Sequence, residues 1–453
     1  MPAVRDVLMR LGSPGARLLS ALIVVLLAGC DQSRPGVGVE ALTGATVIDV
    51  VSGRVIPEAT VLIRGEHIVA VGPGSEVPIP RGATTTDVQG RWIVPGLIDA
   101  HAHLQPWGLA LSLRWGVTTV RDLHDGFPLA DTLRALAARG PSPRLFLAVA
   151  MLDGEPPTYP DAIGLDQPAS ADSALALIAR HRANWVKTYT RVTPEMLAAV
   201  VTAARAARLP VAAHLGLTDA LTASRLGVAS IEHLSGVPEA AGDSVALFAA
   251  HRQGFFPGWT AFEHSWTSLD TTSLASVARL LAATGVTLVP TLGVHEMFSR
   301  LDDSSVYHNP DLAGVPDSAR VNWNVPGMIA RAGWGRGDFV DFRAARAVQD
   351  FFVRTFAAEG GRLATGTDAS NQLLIPGAGV HLEMELLVHA GLSPLDALRA
   401  ATVRGAEMLL ADSLGRLQAG GAADLVVLAA DPLADIRNTR QIVRVMSRGK
   451  WVR

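Results

Sequence analysis

Six side chains along this sequence have the types and positions that a metal-assisted hydrolysis needs. His101 and His103 stand two apart in Asp99-Ala100-His101-Ala102-His103. Alternation along a strand puts both imidazoles on one face, where together they can chelate one ion. Lys187 lies inside the apolar run Trp185-Val186-Lys187-Thr188-Tyr189. His214 follows Val211-Ala212-Ala213, His233 follows Ser230-Ile231-Glu232, and Asp368 follows Thr365-Gly366-Thr367. Taken singly, each has an ordinary reading: a structural or solvated histidine, an aspartate in a turn, a lysine whose stem carries its charge to solvent. Taken together, all six fall near the C-terminal end of a short apolar run, and that shared placement is the signal. Nucleophilic chemistry fits less well. The only cysteine is Cys30, close to the N-terminus, and no Gly-x-Ser-x-Gly elbow is present.

Eight short apolar runs could position these groups: Gly96–His101, Thr118–Leu123, Arg144–Ala150, Trp185–Tyr189, Val211–Leu215, Ser230–Leu234, Thr287–Thr291 and Leu363–Thr367. Ala/Leu-rich helical stretches such as Asp131–Arg139, Ser170–Arg182, Pro194–Ala207 and Leu395–Met408 alternate with them. Strand–helix alternation of this kind is the pattern of an α/β fold with parallel strands. Eight such units over this length fit a (β/α)8 TIM barrel, whose chemistry sits where the strands end. The seventh connection, roughly 292–362, is long enough to hold a lid or a substrate loop. Before and after the barrel the texture is β-rich, with Val/Ile/Thr runs punctuated by Gly, Pro and Asp.

Composition narrows the partners. Of 453 residues, 49% are hydrophobic and 18% charged, enough for a large core. A formal net charge of −3, no long basic run and 5% aromatics argue against nucleic acid as a partner. At the N-terminus, Arg5, Arg10 and Arg17 precede the apolar run Leu18–Leu27, and the small residues Ala28 and Gly29 follow. This is the layout of a secretory leader, with an apolar run too short to cross a bilayer. Leu27-Ala28-Gly29-Cys30 resembles a bacterial lipoprotein lipobox, which implies a lipidated Cys30 and a membrane anchor in the cell envelope, on the periplasmic or outer side. An ordinary secretory leader with an incidental cysteine is the alternative.

The order His-x-His, Lys, His, His, Asp resembles the amidohydrolase superfamily. So do Trp92-Ile93-Val94-Pro95-Gly96-Leu97-Ile98-Asp99 and Gly415-Arg416-Leu417-Gln418-Ala419-Gly420 with Ala423-Asp424-Leu425-Val426-Val427. Gly116-Val117-Thr118-Thr119-Val120-Arg121-Asp122 and His381-Leu382-Glu383-Met384-Glu385 are similar to the branch that holds imidazolonepropionases and Xaa-Pro dipeptidases. The resemblance implies a leader at 1–29, a tether at 30–38, a barrel at 96–412, and a small β-sandwich made from 39–95 and 413–453. It implies two divalent ions, zinc by preference. His101, His103 and Asp368 would hold one, His214 and His233 the other, and Lys187, as N6-carboxylysine, would bridge them. A water between the ions would be acidified towards hydroxide, with Asp368 as general base and then acid. The implied substrate is a small molecule or short peptide, a dipeptide or N-acyl amino acid cleaved at its amide bond. A cyclic amide or lactone hydrolase, or a non-catalytic metal- or solute-binding lipoprotein, are the other readings; a homo-oligomer is compatible with all of them. Where family dipeptidases follow the lysine with a Gly-rich loop, this chain has Thr188-Tyr189-Thr190-Arg191. Tyr189 shares the face of Lys187 and either donates to a substrate carbonyl or packs. Arg191 either pairs with a substrate carboxylate or is solvated. His295 and Glu296, after the seventh run, are candidates for the pocket wall, and His124 is expected at the periphery.

Overall fold

The computed structural model describes residues 36–452. Cys30, the expected leader before it and the expected tether up to residue 35 lie outside the described residues. Among the described residues, no helix is long and apolar enough to cross a membrane.

All eight expected barrel strands form, most of them shorter than the apolar runs that announced them. The first is Leu97–Ala102 and the second Val117–Asp122. The third is Arg144–Leu147, interrupted at Val149 (φ 61°) and resumed as Met151–Gly154. The fourth to eighth are Val186–Thr188, Val211–Ala213, Ser230–Glu232, Thr287–Val289 and Arg362–Leu363. They pair in parallel and in order, through Asp99↔Val120, Val120↔Leu145, Lys187↔Met151, Lys187↔Ala212, Ala213↔Ile231, Ile231↔Leu288 and Leu288↔Leu363. The ring closes between the eighth and the first: Ala100 N–H donates to Thr365 O (2.8 Å) and Thr367 N–H to His101 O (2.9 Å). Gly366 permits that close approach, since a Cβ there would meet Val289 Cγ1 at 2.5 Å and His101 Cβ at 2.7 Å.

The helices between strands follow from their patterning. In Pro194–Ala206, Thr193 caps the N-terminus by accepting from Met196 N–H, and Pro194 takes the first turn, where no N–H is needed. Leu197, Val200, Val201 and Ala204 recur at helical spacing and are the buried face. The seventh connection is helical over Leu292–Ser299, Val325–Ala332 and Arg336–Ala358. One short strand, Ile163–Leu165, has no counterpart among the expected runs; it pairs with Met151–Gly154 and frames an excursion over the barrel mouth.

The two ends of the chain build one further sheet of eight strands. Trp92–Pro95 is its hinge to the barrel. It pairs with Val39–Ile48 on one side and antiparallel with Leu425–Leu428 on the other, then runs through Gly96 into the first barrel strand. Ile68 N–H to Gly421 O (2.9 Å) and Ala423 N–H to Glu66 O (2.8 Å) fold the far edge back over a core that includes Leu42, Val61, Ile93, Val427 and Met446.

Candidate active site

The six expected side chains converge at the C-terminal mouth of the barrel. Asp368 Oδ1 lies 3.1 Å from Nε2 of His101 and 3.1 Å from Nε2 of His103, and 3.9 Å from Nε2 of His233. The His233 ring sits 4.4 Å from that of His101 and 4.6 Å from that of His214. His233 therefore stands between the two groups that the resemblance implies rather than wholly with one of them. His233 (φ 60°) and Asp368 (φ 57°) both adopt left-handed backbone, a conformation that costs a non-glycine residue about 1–3 kcal/mol and persists where surrounding contacts impose it. Here His233 N–H donates to Val289 O (3.0 Å) and Asp368 N–H to His101 O (2.8 Å).

Three of the four imidazoles are oriented through their other nitrogen. His101 Nδ1 donates to Glu232 (2.7 Å) and His103 Nδ1 to the His124 carbonyl (3.1 Å). The Thr291 hydroxyl spends its proton on Pro290 O, so it accepts from His233 Nδ1 (2.7 Å). This leaves Nε2 lone pairs facing inward, the arrangement that a histidine ligand requires. Glu232 is itself held: Arg121 donates to both its oxygens (2.9 and 3.0 Å) and Ser230 to one (2.5 Å). Burial pushes the Glu232 carboxyl up, but Arg121 and His101 outweigh it and hold it at about 2, so it is ionised. The guanidinium of Arg121 is stacked over Trp185, 4.4 Å from the ring centroid.

The donor set fits divalent metal ions. Ligand atoms of His101, His233 and Asp368 all lie within 4.8 Å of one another. Lys187 Nζ and His101 Nε2 are buried with no hydrogen-bond partner, which is costly unless something else completes them. Burial drives His214 and His233 well below the ordinary imidazole value, reinforced by nearby positive groups, so both keep the neutral form that ligates. Burial also lowers the Lys187 ammonium to about 8, against the pull of Glu232 and Asp368. A substantial share of Lys187 is then the neutral amine near physiological pH. Burial alone would raise Asp368; His233, His101 and His103 reverse this and keep the carboxylate ionised.

A cavity of about 760 Å³ opens onto these groups. Tyr189 lines it on the same side as Lys187, packed edge-on to His214 (4.7 Å) and Tyr159 (5.6 Å). Arg191 reaches the cavity wall, but its guanidinium donates to the carbonyls of Pro156 (3.1 Å) and Arg252 (3.0 Å). His295 is not part of that wall. It is buried and stacked on Trp259, with Nδ1 on Glu263 (2.6 Å) and Nε2 donating to the His233 carbonyl (3.1 Å). Both nitrogens are thus engaged, which removes His295 from direct substrate contact. Glu296 faces away, towards Arg300 and Arg346. His124, expected at the periphery, lines the cavity and pairs with Asp161 (3.2 Å). Arg121 and Glu232 were legible only as charges inside apolar strands; their roles emerge from pairing across the barrel. Tyr159 and Asp161 had no sequence signal, because the excursion that carries them was not anticipated.

A model of the Amidohydrolase family matches residues 92–452. An imidazolonepropionase of Acidiphilium cryptum is 38% identical over 78 residues, 17% of this chain and 16% of that protein. An adenine deaminase of Paracoccus denitrificans is 30% identical over 132 residues, 28% of this chain and 22% of that protein. The matched segments are thus well under a third of these relatives' length. Among solved structures, a putative prolidase from Bifidobacterium longum has a TM-score of 0.69 at 24% identity, covering 92% of this chain and 95% of that one. An A. niger ochratoxinase has a TM-score of 0.67 at 19% identity, covering 91% and 95%. These likenesses extend the agreement in fold over both the barrel and the terminal sheet. With the family model spanning most of its length, the chain belongs to the amidohydrolase family.

Proposed function

We propose that this protein is a metal-dependent hydrolase that cleaves the amide C–N bond of a small molecule or short peptide, specifically a dipeptide or N-acyl amino acid. The observation that carries the reading is the unpartnered, buried Lys187 Nζ beside the converging His101, His233 and Asp368. His101, His103 and Asp368 would hold one divalent ion and His214 and His233 a second, with zinc suited to this nitrogen-rich set. When bound, the ions supply Lewis acidity that polarises the scissile carbonyl and acidifies water.

The chain's own residues do the rest. Lys187, as neutral amine, adds through Nζ to carbon dioxide, gives up one N–H proton to solvent and becomes a carbamate with two ligand oxygens in place of none. Asp368 accepts a proton from the attacking water at a carboxylate oxygen and delivers it to the leaving nitrogen. Burial raises the Tyr189 phenol well above its ordinary value, so it stays protonated and can donate to the carbonyl oxygen as negative charge develops there. A lipid anchor at Cys30, holding the enzyme to the envelope membrane, and a homo-oligomer remain part of the proposal.

The test is turnover by the purified full chain, supplied with zinc and bicarbonate, on dipeptides and N-acyl amino acids. The expected result is hydrolysis by the parent and none by Asp368→Asn. Equal turnover by the two proteins would remove Asp368 from the chemistry.

A further inference from the structure

The walls of the cavity differ in character. After the sixth strand, Phe255, Phe256 and Trp259 project into it, and Phe298 and Met328 come from the long seventh connection. The rings are contiguous: Phe255 to Phe256 is 5.4 Å, Phe255 to Trp259 6.0 Å, and Trp259 to Phe298 5.4 Å between centroids. The wall starts beside the histidines, with Trp259 6.5 Å from His233.

Arg331 also lines the cavity, three residues after Met328 on the same helix, so both side chains share the face that meets it. Among the described residues Arg331 makes no ion pair or hydrogen bond, unlike the cavity's other arginine and three further arginines of the seventh connection. Arg191 is committed to two carbonyls, Arg300 to Asp303, Arg343 to Asp302 and Arg346 to Asp350. Of the carboxyl groups that line the cavity, Asp368 belongs to the ligand cluster, Asp161 pairs with His124 (3.2 Å), and burial together with the neighbouring Asp122 pushes Asp125 far above the usual carboxylate range, so it is protonated. Arg331 is thus the uncommitted guanidinium of the cavity, to which an anionic substrate end is drawn.

Resting on the amide-hydrolase reading, we propose that the portion released by hydrolysis is a bulky apolar or aromatic amino acid, its side chain against this wall and its carboxylate paired with Arg331. Arg331 is then a specificity-determining residue of the site, contributed by the long seventh connection. The guanidinium fork matches a carboxylate, and a stacked ring gains from contact with other rings.

The experiment compares N-acetyl-L-phenylalanine, its carboxamide and N-acetylglycine as substrates of the zinc-loaded full chain and of Arg331→Ala, and measures L-phenylalanine binding to both proteins by calorimetry. The parent is expected to prefer the phenylalanine substrate to the glycine one, and the carboxylate to the carboxamide. In Arg331→Ala the carboxylate-over-carboxamide ratio of kcat/KM falls about tenfold, mainly through KM, and Arg331→Lys recovers part of it. An unchanged ratio, or an N-acetylglycine rate matching that of N-acetyl-L-phenylalanine, overturns the proposal while leaving amide hydrolysis standing. If no amide is cleaved, the functional reading fails and binding decides the rest. Tighter retention of L-phenylalanine by the parent than by Arg331→Ala supports the pairing, and equal Kd values end it.

Discussion

Asn371 Nδ2 donates to Oδ2 of Asp368 at 2.7 Å, while Oδ1 of the same carboxylate faces Nε2 of His101 and His103. The two oxygens are therefore inequivalent: one is turned to the ligand cluster and the other is fixed from outside. Removing Asn371 frees the carboxylate to rotate without removing it. Asn371→Ala is expected to lower kcat about tenfold with little change in KM, the loss of one charge-assisted hydrogen bond. Steady-state kinetics beside Asp368→Asn checks this; a loss confined to KM would place Asn371 in binding instead.

Glu232 holds His101 through Nδ1 and is buried against Arg121. Glu232→Gln keeps the shape but removes the charge. Metal affinity should fall about 10–100-fold, read by competition with a chelator. Thermal stability should fall with it, because Arg121 is left buried beside a neutral partner. Unaltered metal affinity in a folded variant would mean that the histidine needs no charged support.

Lys187 supplies no ligand as an ammonium and two as a carbamate. Lys187→Ala should therefore bind fewer ions per chain than the parent, counted by elemental analysis after dialysis. In the parent, metal uptake should quicken as pH rises towards and through about 8, where Lys187 passes from mostly ammonium to mostly neutral amine, provided dissolved carbon dioxide is held constant. Full metal occupancy in Lys187→Ala would refute the bridging role.

Glu383 accepts N–H bonds from Leu292 and Gly293 at the start of the helix Leu292–Ser299 (2.9 Å each). Burial nevertheless raises its carboxyl from the ordinary 4.5 to about 7. The native state thus holds this proton more tightly than the unfolded chain does. Its contribution to stability is greatest below about 4.5 and is lost as pH rises towards 7. Over that interval, at ~1.4 kcal/mol per pH, the loss is at most about 3.5 kcal/mol. Glu383→Gln should flatten this part of the stability profile, measured by urea unfolding at pH 5 and pH 8. Parallel profiles for parent and variant would show that another group sets the slope.

The barrel was readable because its signals are local. Alternating apolar strands and capped amphipathic helices recur with a period that backbone geometry dictates, and His101-x-His103 needs only the two-residue repeat of a strand to face one way. The excursion carrying Tyr159 and Asp161 escaped because Ile163–Leu165 is too short to stand out as a strand. His295 was misplaced because its neighbours, Glu263 and the His233 carbonyl, are far away in sequence.

What the sequence by itself determined is the order of strands and helices, and the set of side chains that their ends present. Only the tertiary structure decided how those side chains are tuned. The Glu232 that orients His101 lies 131 residues away, and the Thr367 that bonds Asp99 lies 268 residues away. Closing the barrel brings such pairs together, and burying them there shifts their proton affinities, because desolvation depends on everything packed around a group and not on its chain neighbours. The same holds for Arg331: a helix face can be read from spacing, but that its guanidinium ends at a cavity without a partner is a property of the folded chain alone.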